Sequence, residues 1–239
     1  MENIVIGFNP VIALLQSNIK IEEVLISINI DKSKNRSLLD ILDKKSKNIK
    51  VSYLKKEELD KIAGTNNNQG IVAKIKTQIN YREINEFKES NTLLILDHIQ
   101  DPQNLGAIIR SANLFKVDAV VIPEKRACPI TSTVIKASSG AIFFTPIVKI
   151  NSILSTIKNL KEWGFWIYTA DMSGEDVRKI NFDGKTALII GSEDGVSQKV
   201  IENSDFLVKI PTAGNIDSLN ASVASGILLY NVFINKNHF

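Results

Sequence analysis

The feature that most constrains the fold is a series of short, mostly apolar segments between residues 92 and 239. They lie at residues 93–96, 119–122, 165–168, 187–190 and 206–210. Apolar runs without alternation are typical of strands that are buried on both faces of a parallel sheet. Helices are predicted between them, at residues 105–115, 131–139, 153–163 and 197–202. This alternation predicts a doubly wound α/β domain, in which ligands bind beyond the carboxyl ends of the strands.

The first 77 residues predict a smaller alternating α/β unit. Strands are expected at residues 21–28, 49–54 and 71–75, and helices at residues 10–15, 37–47 and 56–63. Asn9 is expected to cap the first helix, with Pro10 at its first position. Residues 78–91 have mixed charge and no sustained period, which predicts a linker. The sequence therefore predicts domains at residues 1–77 and 92–239, joined by a linker at residues 78–91.

An asparagine-rich loop, residues 64–70, precedes the last strand of the N-terminal unit. Asn66, Asn67, Asn68 and Gln69 follow one another in this loop. Such a loop is often only a solvated connection between two elements. Its amides could equally bind the edges of RNA bases, and the sequence leaves both interpretations open.

Composition excludes several kinds of site. Cys128 is the only cysteine, and His98 and His238 are the only histidines. A disulfide framework and a cysteine-built metal cluster are therefore excluded, and no metal site is expected. The formal net charge of +3 permits a nucleic-acid partner without requiring one. No apolar run has the length of a membrane span, and no signal peptide is recognised, so we expect a cytoplasmic protein without a membrane partner.

Two loops at predicted strand ends contain residues that packing does not explain. Asn104 is predicted to cap a helix, and Arg110 then lies off the buried stripe of that helix. An exposed arginine on a helix is ordinarily only a solvated charge. The second loop follows residue 190 and contains Glu193 between Gly191 and Gly195, a glycine-punctuated turn from strand to helix. Neither GxGxxG nor GxxxxGK[ST] occurs in the chain, so a dinucleotide or P-loop site is not supported.

The third loop joins the last predicted strand to the C-terminal helix. Pro211 ends the strand because it lacks a backbone donor. The chain then passes through Gly214 and is expected to restart as a helix near Ser218. Ser218 is either an ordinary N-cap or a functional residue, and Asn220 has no structural reason in the first turn.

Together, the three loops resemble the motifs of the SpoU branch of the SPOUT RNA methyltransferases. The matching stretches are Asn104-x-Gly-x-x-x-Arg110, Ile190-Gly-Ser-Glu193 and Ile210-Pro-x-Ala-Gly…Ser218-Leu-Asn220. Gly7-Phe-Asn-Pro-Val11 and Asn68-Gln-Gly-Ile-Val72 resemble the ends of the ribosomal-protein-like RNA-binding domain of that branch. The resemblance covers nearly the whole chain, and it is strongest to bacterial enzymes that methylate a guanosine ribose of large-subunit ribosomal RNA.

The resemblance implies a parallel sheet with a deep trefoil knot, an exception to the rule that chains are un-knotted. It also implies a small N-terminal α/β RNA-binding domain, a homodimer with its site at the dimer interface, and S-adenosylmethionine-dependent methylation of a ribose 2′-hydroxyl in RNA. The catalytic residues it implies are Asn104, Arg110, Glu193, Ser218 and Asn220. The cofactor-binding residues it implies are Ile190, Gly191, Ile210, Ala213, Ser218 and Leu219.

Three alternatives remain at this point. The substrate could be transfer RNA rather than a guanosine of large-subunit ribosomal RNA. The chain could also bind RNA without catalysis, because its second motif is one residue shorter between Glu193 and Gly195 than is usual in the family. A Rossmann-like enzyme of small metabolites is weakened by the missing fingerprint. The role of Arg110 is open as well, although a guanidinium that stays protonated suits a phosphate clamp better than a base.

Overall fold

The computed structural model describes residues 4–31, 35–45, 49–76, 79–215 and 218–237. The N-terminal elements are β1 (Ile4–Ile6), α1 (Phe8–Gln16), β2 (Ile21–Ser27), α2 (Arg36–Lys45), β3 (Lys50–Leu54), α3 (Lys56–Ala63) and β4 (Ile71–Ile75). The later strands are β5 (Thr92–Asp97), β6 (Ala119–Pro123), β7 (Ile147–Ile150), β8 (Phe165–Asp176), β9 (Lys185–Gly191) and β10 (Phe206–Lys209). The later helices are α4 (Pro102–Leu114), α5 (Ser132–Ala137), α6 (Ile153–Glu162), α7 (Gln198–Glu202) and α8 (Ala221–Asn237).

The chain forms two compact units, and their boundary is not a single point in the sequence. The first unit contains Met1–Ile79 and Ile130–Phe144, and the second contains Asn80–Pro129 and Thr145–Phe239. The segment Ile130–Phe144 carries α5 and connects β6 to β7. The division by contacts therefore differs from the two continuous domains that the sequence predicts.

The first unit contains a four-stranded sheet in the order β1-β4-β2-β3. Strand β4 runs antiparallel to β1 and β2, whereas β3 runs parallel to β2. The segment that carries α5 packs closely on α1. A Cβ added to Gly140, whose φ is +85°, would lie 2.4 Å from the Cβ of Ala13, and the Lys136 ammonium donates to the Asn67 carbonyl at 2.7 Å. This contact leaves no space for a side chain at residue 140.

The second unit contains a six-stranded, entirely parallel sheet in the order β10-β8-β9-β5-β6-β7. The parallel α/β sheet predicted from the apolar runs is therefore confirmed. One face packs on α6, where Leu93, Ile189, Ile157 and Leu160 share a core. Each such fully buried aliphatic side chain stabilises the fold by about 1.5–3 kcal/mol. On another part of this unit α4 packs against α8.

Two short strands were not predicted, and three helices begin without the N-cap that was expected for them. Strands β1 and β7 have three and four residues, too few for a periodic signal. Asn9 lies inside α1 instead of capping it, because the helix already begins at Phe8 after Gly7. Helix α4 begins at Pro102 and α8 at Ala221, so Asn104 and Ser218 are not N-caps. Residues 46–48, where the second predicted helix ends, lie outside the described residues, as does His238.

Most of the segment that was expected to be a linker packs into the second unit. The Arg82 N–H donates to the Ile147 carbonyl at 2.8 Å. A 3₁₀ turn, Ile84–Phe87, then buries Phe87 in the core of that unit. Residues 82–87 therefore belong to the second unit and are not part of a free linker.

Candidate active site

The turn after β9 is fixed by the last residue of β5. Asp97 is 1% exposed, and a buried carboxylate needs partners that compensate for its lost hydration. Its Oδ1 lies 2.7 Å from Nδ1 of His98, and its Oδ2 accepts from the Ser197 N–H at 3.2 Å. Its carbonyl accepts from the Ser192 N–H at 3.1 Å. Asp97 therefore holds both ends of the turn that begins at Ser192.

Gly191 is required by that turn itself. The Gly195 N–H donates to the Ser192 carbonyl at 2.9 Å, which closes the turn. A Cβ on Gly191 would lie 2.2 Å from the Gly195 carbonyl oxygen. No side chain fits at residue 191 unless the turn moves, so the shortened second motif forms a closed and tightly packed turn.

A pair of asparagines joins the beginnings of α4 and α8. Asp101 caps α4 by accepting from the Asn104 N–H at 2.7 Å, which puts Asn104 in the first turn. The Asn220 side-chain amide donates to the Asn104 Oδ1 at 3.0 Å. The Asn220 Oδ1 accepts from the N–H of Ser222 at 2.9 Å, so Asn220 caps α8. Two residues from distant motifs, both expected to be catalytic, therefore lie in direct contact.

Two cavities adjoin the turn after β9. We call the first the apolar cavity; it has about 300 Å³ and lies among residues 170–172, 190–195, 208–212 and 218–228. We call the second the polar cavity; it has about 660 Å³ and lies among residues 98–104, Arg126, residues 192–197 and Ala221. Residues 192–195 and Ala221 line both of them. The two cavities therefore lie side by side, with these residues as the wall that they share.

The apolar cavity brings together five of the six residues that were expected to bind a cofactor. These are Ile190, Gly191, Ile210, Ser218 and Leu219. Ala213 is exposed and is not among the described residues that line the cavity. Residues 216–217 of the same loop lie outside the described residues. The end of β8 contributes residues 170–172. These residues were not predicted to be functional, because the apolar run indicates a strand of only four residues there.

The residues expected to be catalytic are distributed unequally. Glu193 lines both cavities and Asn104 lines the polar one. Arg110 lies on the exposed face of α4, six residues and about 9 Å along the helix axis from Asn104. Within the described part of one chain, Arg110 lines neither cavity. A single copy therefore brings together Asn104, Asn220, Glu193 and Ser218 but not Arg110.

Asp97 was not among the functional residues predicted from the sequence. The sequence does contain a signal for it, because a carboxylate directly after a strand buried on both faces must find partners at the sheet edge.

Cys128 is a buried residue and not a nucleophile. Burial raises the pKa of its thiol, and the charge of Asp101 raises it further, which disfavours the reactive thiolate. Among the described residues, no three His, Cys, Asp or Glu side chains group as metal ligands. No helix in the described ranges has the length and apolar character needed to cross a membrane.

Residues 7–11 and 68–72, the two N-terminal stretches that resemble the family, are joined by hydrogen bonds. The Gly7 N–H donates to the Ile71 carbonyl at 3.2 Å, and the Phe8 N–H donates to the Gln69 Oε1 at 2.7 Å. Asn68 is 1% exposed; its amide donates to Asp60, and its Oδ1 accepts from the Gly70 N–H. Asn68 therefore stabilises the loop, while its neighbours Asn66, Asn67 and Gln69 are exposed.

Two family models match the chain. The model of the SpoU rRNA methylase family matches residues 91–230. A model described as RNA 2′-O ribose methyltransferase substrate binding matches residues 4–80. A tRNA/rRNA methyltransferase of Borreliella burgdorferi, named as uncharacterized, is 43% identical over 79% of this chain and 89% of its own. The Bacillus subtilis protein YacO, named as a TrmH family tRNA/rRNA methyltransferase, is 37% identical over 98% of this chain and 96% of its own.

Solved structures share the fold at lower identity. The AdoMet-bound rRNA methyltransferase of Sinorhizobium meliloti has a TM-score of 0.76 at 21% identity, covering 100% of this chain and 88% of its own. The SpoU methyltransferase AviRb of Streptomyces viridochromogenes, in complex with the cofactor AdoMet, has a TM-score of 0.75 at 22% identity. That alignment covers 99% of this chain and 91% of AviRb.

Proposed function

The chain belongs to the SpoU rRNA methylase family of RNA methyltransferases, and from this membership we propose that it transfers a methyl group from S-adenosylmethionine to a ribose 2′-hydroxyl of RNA. The observation that carries the proposal is the shared wall of the two cavities. Glu193 lies on that wall, and the bonded pair Asn104–Asn220 lies beside it. One cavity is suited to the adenosine part of the cofactor and the other to a polar substrate, as methyl transfer between two bound molecules requires.

The residues of the apolar cavity fit the adenosine part of S-adenosylmethionine. Its volume of about 300 Å³ is at the small end of the usual range for ligand sites. Ile210 and Leu219 offer apolar contact to a purine, and the backbone at Ile190 and Gly191 can approach a base edge closely. Two solved relatives of this fold contain AdoMet. When bound, the sulfonium supplies an activated methyl group, so the protein must mainly align the ribose oxygen with it.

The residues beside the polar cavity orient the ribose. The Asn104 and Asn220 amides and the Glu193 carboxylate provide donors and acceptors for sugar hydroxyls. Because a guanidinium stays protonated, we assign to Arg110 a clamp on the phosphate next to the reacting ribose, where it also favours developing negative charge on the oxygen.

We propose that a homodimer completes the site. Val223 and Tyr230, seven residues apart on α8, are 49% and 51% exposed, and Leu114 on α4 is 66% exposed. The two helices lie close together, since a Cβ on Gly226 would be 3.7 Å from the Ser111 Oγ. A second copy that covers this apolar face would also cover α4, on which Arg110 lies.

The remaining assignments follow from the family and its N-terminal domain. We propose that the N-terminal domain, residues 1–77, selects the RNA through the exposed amides of Asn66, Asn67 and Gln69, and that residues 92–239 form the knotted methyltransferase domain. The match of residues 4–80 to a substrate-binding model supports this division. We assign the target to a guanosine of large-subunit ribosomal RNA in the cytoplasm. Transfer RNA is the alternative, because the relatives are named for both substrates.

Two measurements test the proposal. Calorimetry should detect binding of S-adenosylmethionine to the full-length protein, and an absence of binding would favour an RNA-binding protein without catalysis. Mapping of 2′-O-methylation in RNA from cells with and without the gene should then find one ribose that depends on it. Loss of methylation from a transfer RNA instead would replace the ribosomal assignment.

A further inference from the structure

Arg126 lies on the wall of the polar cavity, although no motif of the sequence includes it. The loop that follows β6 is fastened to the loop that follows β5, because the Cys128 N–H donates to the Ile99 carbonyl at 2.9 Å. Both Cys128 and Ile99 are buried. Two residues before this attachment, Arg126 has a φ of +59°, is exposed and lines the cavity.

The polar cavity is lined by more acidic residues than basic ones. Asp101, Glu193 and Asp194 are the acidic residues among those that line it. Among the described residues that line it, Arg126 is the one lysine or arginine. The ion pairs of the described ranges do not include Arg126. Its guanidinium can therefore bind a ligand in a cavity whose other charged lining residues, His98 aside, are carboxylates.

The combination of one guanidinium with several carboxylates favours binding of a base over binding of a phosphate of the RNA. A phosphodiester would bind the guanidinium but would be repelled by three nearby carboxylates. A guanine base suits both kinds of group, because its O6 and N7 accept the two parallel N–H donors of an arginine. Its N1–H and N2 amino group donate on another edge, where a carboxylate can accept. Adenine and cytosine present an amino donor where guanine has O6, and so they fit the guanidinium poorly.

We propose that the polar cavity receives the base of the target guanosine, and that Arg126 reads its O6 and N7. Arg126 is then a specificity-determining residue, while an acidic residue of the same cavity accepts from N1 and N2. Bases that are read in this way are unstacked from the RNA and bound individually. This inference rests on the proposed function and adds to it the residue that distinguishes guanosine from other nucleosides.

The test compares two changes to the same contact. The substrates are RNA fragments with guanosine, 7-deazaguanosine or inosine at the mapped target, and the assay is single-turnover methyl transfer at saturating S-adenosylmethionine. With the wild-type enzyme, 7-deazaguanosine, which lacks the N7 acceptor but keeps O6, should react more slowly, by less than the about fivefold to 150-fold that a whole bidentate contact is worth. Arg126→Ala removes both bonds, so it should slow guanosine and inosine by about fivefold to 150-fold. It should slow 7-deazaguanosine by a smaller factor, because only the O6 bond remains to be lost there.

Controls separate this contact from folding and from the proposed function. Lys125→Ala changes the neighbouring exposed cation and should leave all rates unchanged. Arg126→Ala should bind S-adenosylmethionine as tightly as the wild type does; if it folds poorly, Arg126→Gly, which suits a positive φ, replaces it. Equal slowing of guanosine and 7-deazaguanosine by Arg126→Ala would mean a phosphate contact and would overturn the inference, as would unchanged rates. A wild-type enzyme that methylates no RNA would contradict the proposed function itself.

Discussion

At the scale of single residues, Asp97 shows how a buried charge can organise a site that it does not line. Its carboxylate contacts His98 and the Ser197 N–H, and its carbonyl contacts Ser192. Each of these groups belongs to the loop after β5 or to the turn after β9. Because an unpaired buried carboxylate is costly, these contacts are strongly favoured over alternative positions of the turn. The position of the wall that the two cavities share thus depends on Asp97, which lies beneath it.

Gly191 gives a first prediction at this scale. Gly191→Ala puts a methyl group 2.2 Å from the Gly195 carbonyl oxygen, so the turn must move. We expect the free energy of unfolding to fall by about 1–3 kcal/mol, as for other overpacked sites, and the affinity for S-adenosylmethionine to fall with it. Gly214→Ala is the matched control, because its Cβ would meet nothing within 4 Å. If urea unfolding and calorimetry give the same values for both variants, the tight turn does not govern the cavity.

Arg110 gives a second prediction. Its exposed position means that Arg110→Ala should change the free energy of unfolding by no more than about 0.5 kcal/mol. Single-turnover methyl transfer should fall about a hundredfold or more, the usual effect of removing one well-aimed donor. Arg110→Lys keeps the charge but loses the planar fork, so it should retain measurable activity if Arg110 is a phosphate clamp.

The control for Arg110 is another exposed helical cation. Lys158→Ala on α6 should leave both stability and methyl transfer unchanged. An Arg110→Ala enzyme that works near the wild-type rate would remove Arg110 from the site altogether.

At the scale of elements, the long buried strands were predictable and the short ones were not. Strands β5, β6 and β9 were evident as continuous apolar runs, because burial on both faces demands them. Strand β1 consists only of Ile4–Ile6, and three residues cannot establish a period. Strand β8 was predicted over four residues but extends to Asp176. Its second half contains Asp171, Ser173 and Gly174, which are poor strand formers when read without their tertiary context.

Helix starts were misassigned where two capping residues compete. Asp101 and Asn104 both precede the apolar stripe of α4, and Pro102 makes Asp101 the better cap by occupying the first helical position. Asn220 rather than Ser218 accepts from Ser222 at the start of α8. The contact between Asn104 and Asn220 joins positions that are far apart in the chain, so only tertiary structure could reveal it. The family resemblance identified both residues as functional, but nothing in the sequence indicated that they are in contact.

Glu23 gives a prediction for the sheet of the first unit. The Lys50 ammonium, the Ser52 hydroxyl and the Lys74 ammonium lower the pKa of Glu23 to about 2 from an ordinary 4.5. Lys50 lies 2.8 Å from its Oε1, and Lys74 lies 3.3 Å from its Oε2. The folded pKa is below the unfolded one, so the stabilisation is fully present above about pH 4.5 and is lost as pH falls toward about 2.

The measurement is urea unfolding of wild type and Glu23→Gln as a function of pH. The wild type should be the more stable at neutral pH, and the difference should close as pH falls through the range between the two pKa values. Glu22→Gln, an exposed neighbour on β2, should show no such closing. A difference that persists unchanged at the acid end would mean that Glu23 is not the titrating group.

At the scale of the whole molecule, the proposed dimer leads to a prediction about α8. Val223→Asp puts a charge on the exposed apolar face that contains Val223 and Tyr230. Burial of an unpaired carboxylate in an interface is strongly unfavourable, so we expect sedimentation to find single chains where the wild type forms pairs. Methyl transfer should fall with the loss of the second copy.

A matched substitution separates this effect from general surface charge. Leu154→Asp on α6 changes another exposed aliphatic residue of the same unit and should leave the sedimentation unchanged. Wild-type protein that sediments as a single chain at working concentrations, yet is fully active, would contradict the dimeric site.

The discontinuous first unit has a consequence for synthesis on the ribosome. Its strands β1 to β4 emerge early, but Ile130–Phe144, which packs on α1, follows only after the roughly 65 further residues from Ile79 to Phe144. At about 5–20 residues per second, this interval lasts on the order of 3 to 13 s. During it the surface around Ala13 is not covered by the segment that contains Gly140, so the nascent chain carries an incomplete first unit. That unit becomes whole only after β5 and β6, two of the six strands of the second unit's sheet, have also been made, so the first unit cannot be completed before the second has begun to form.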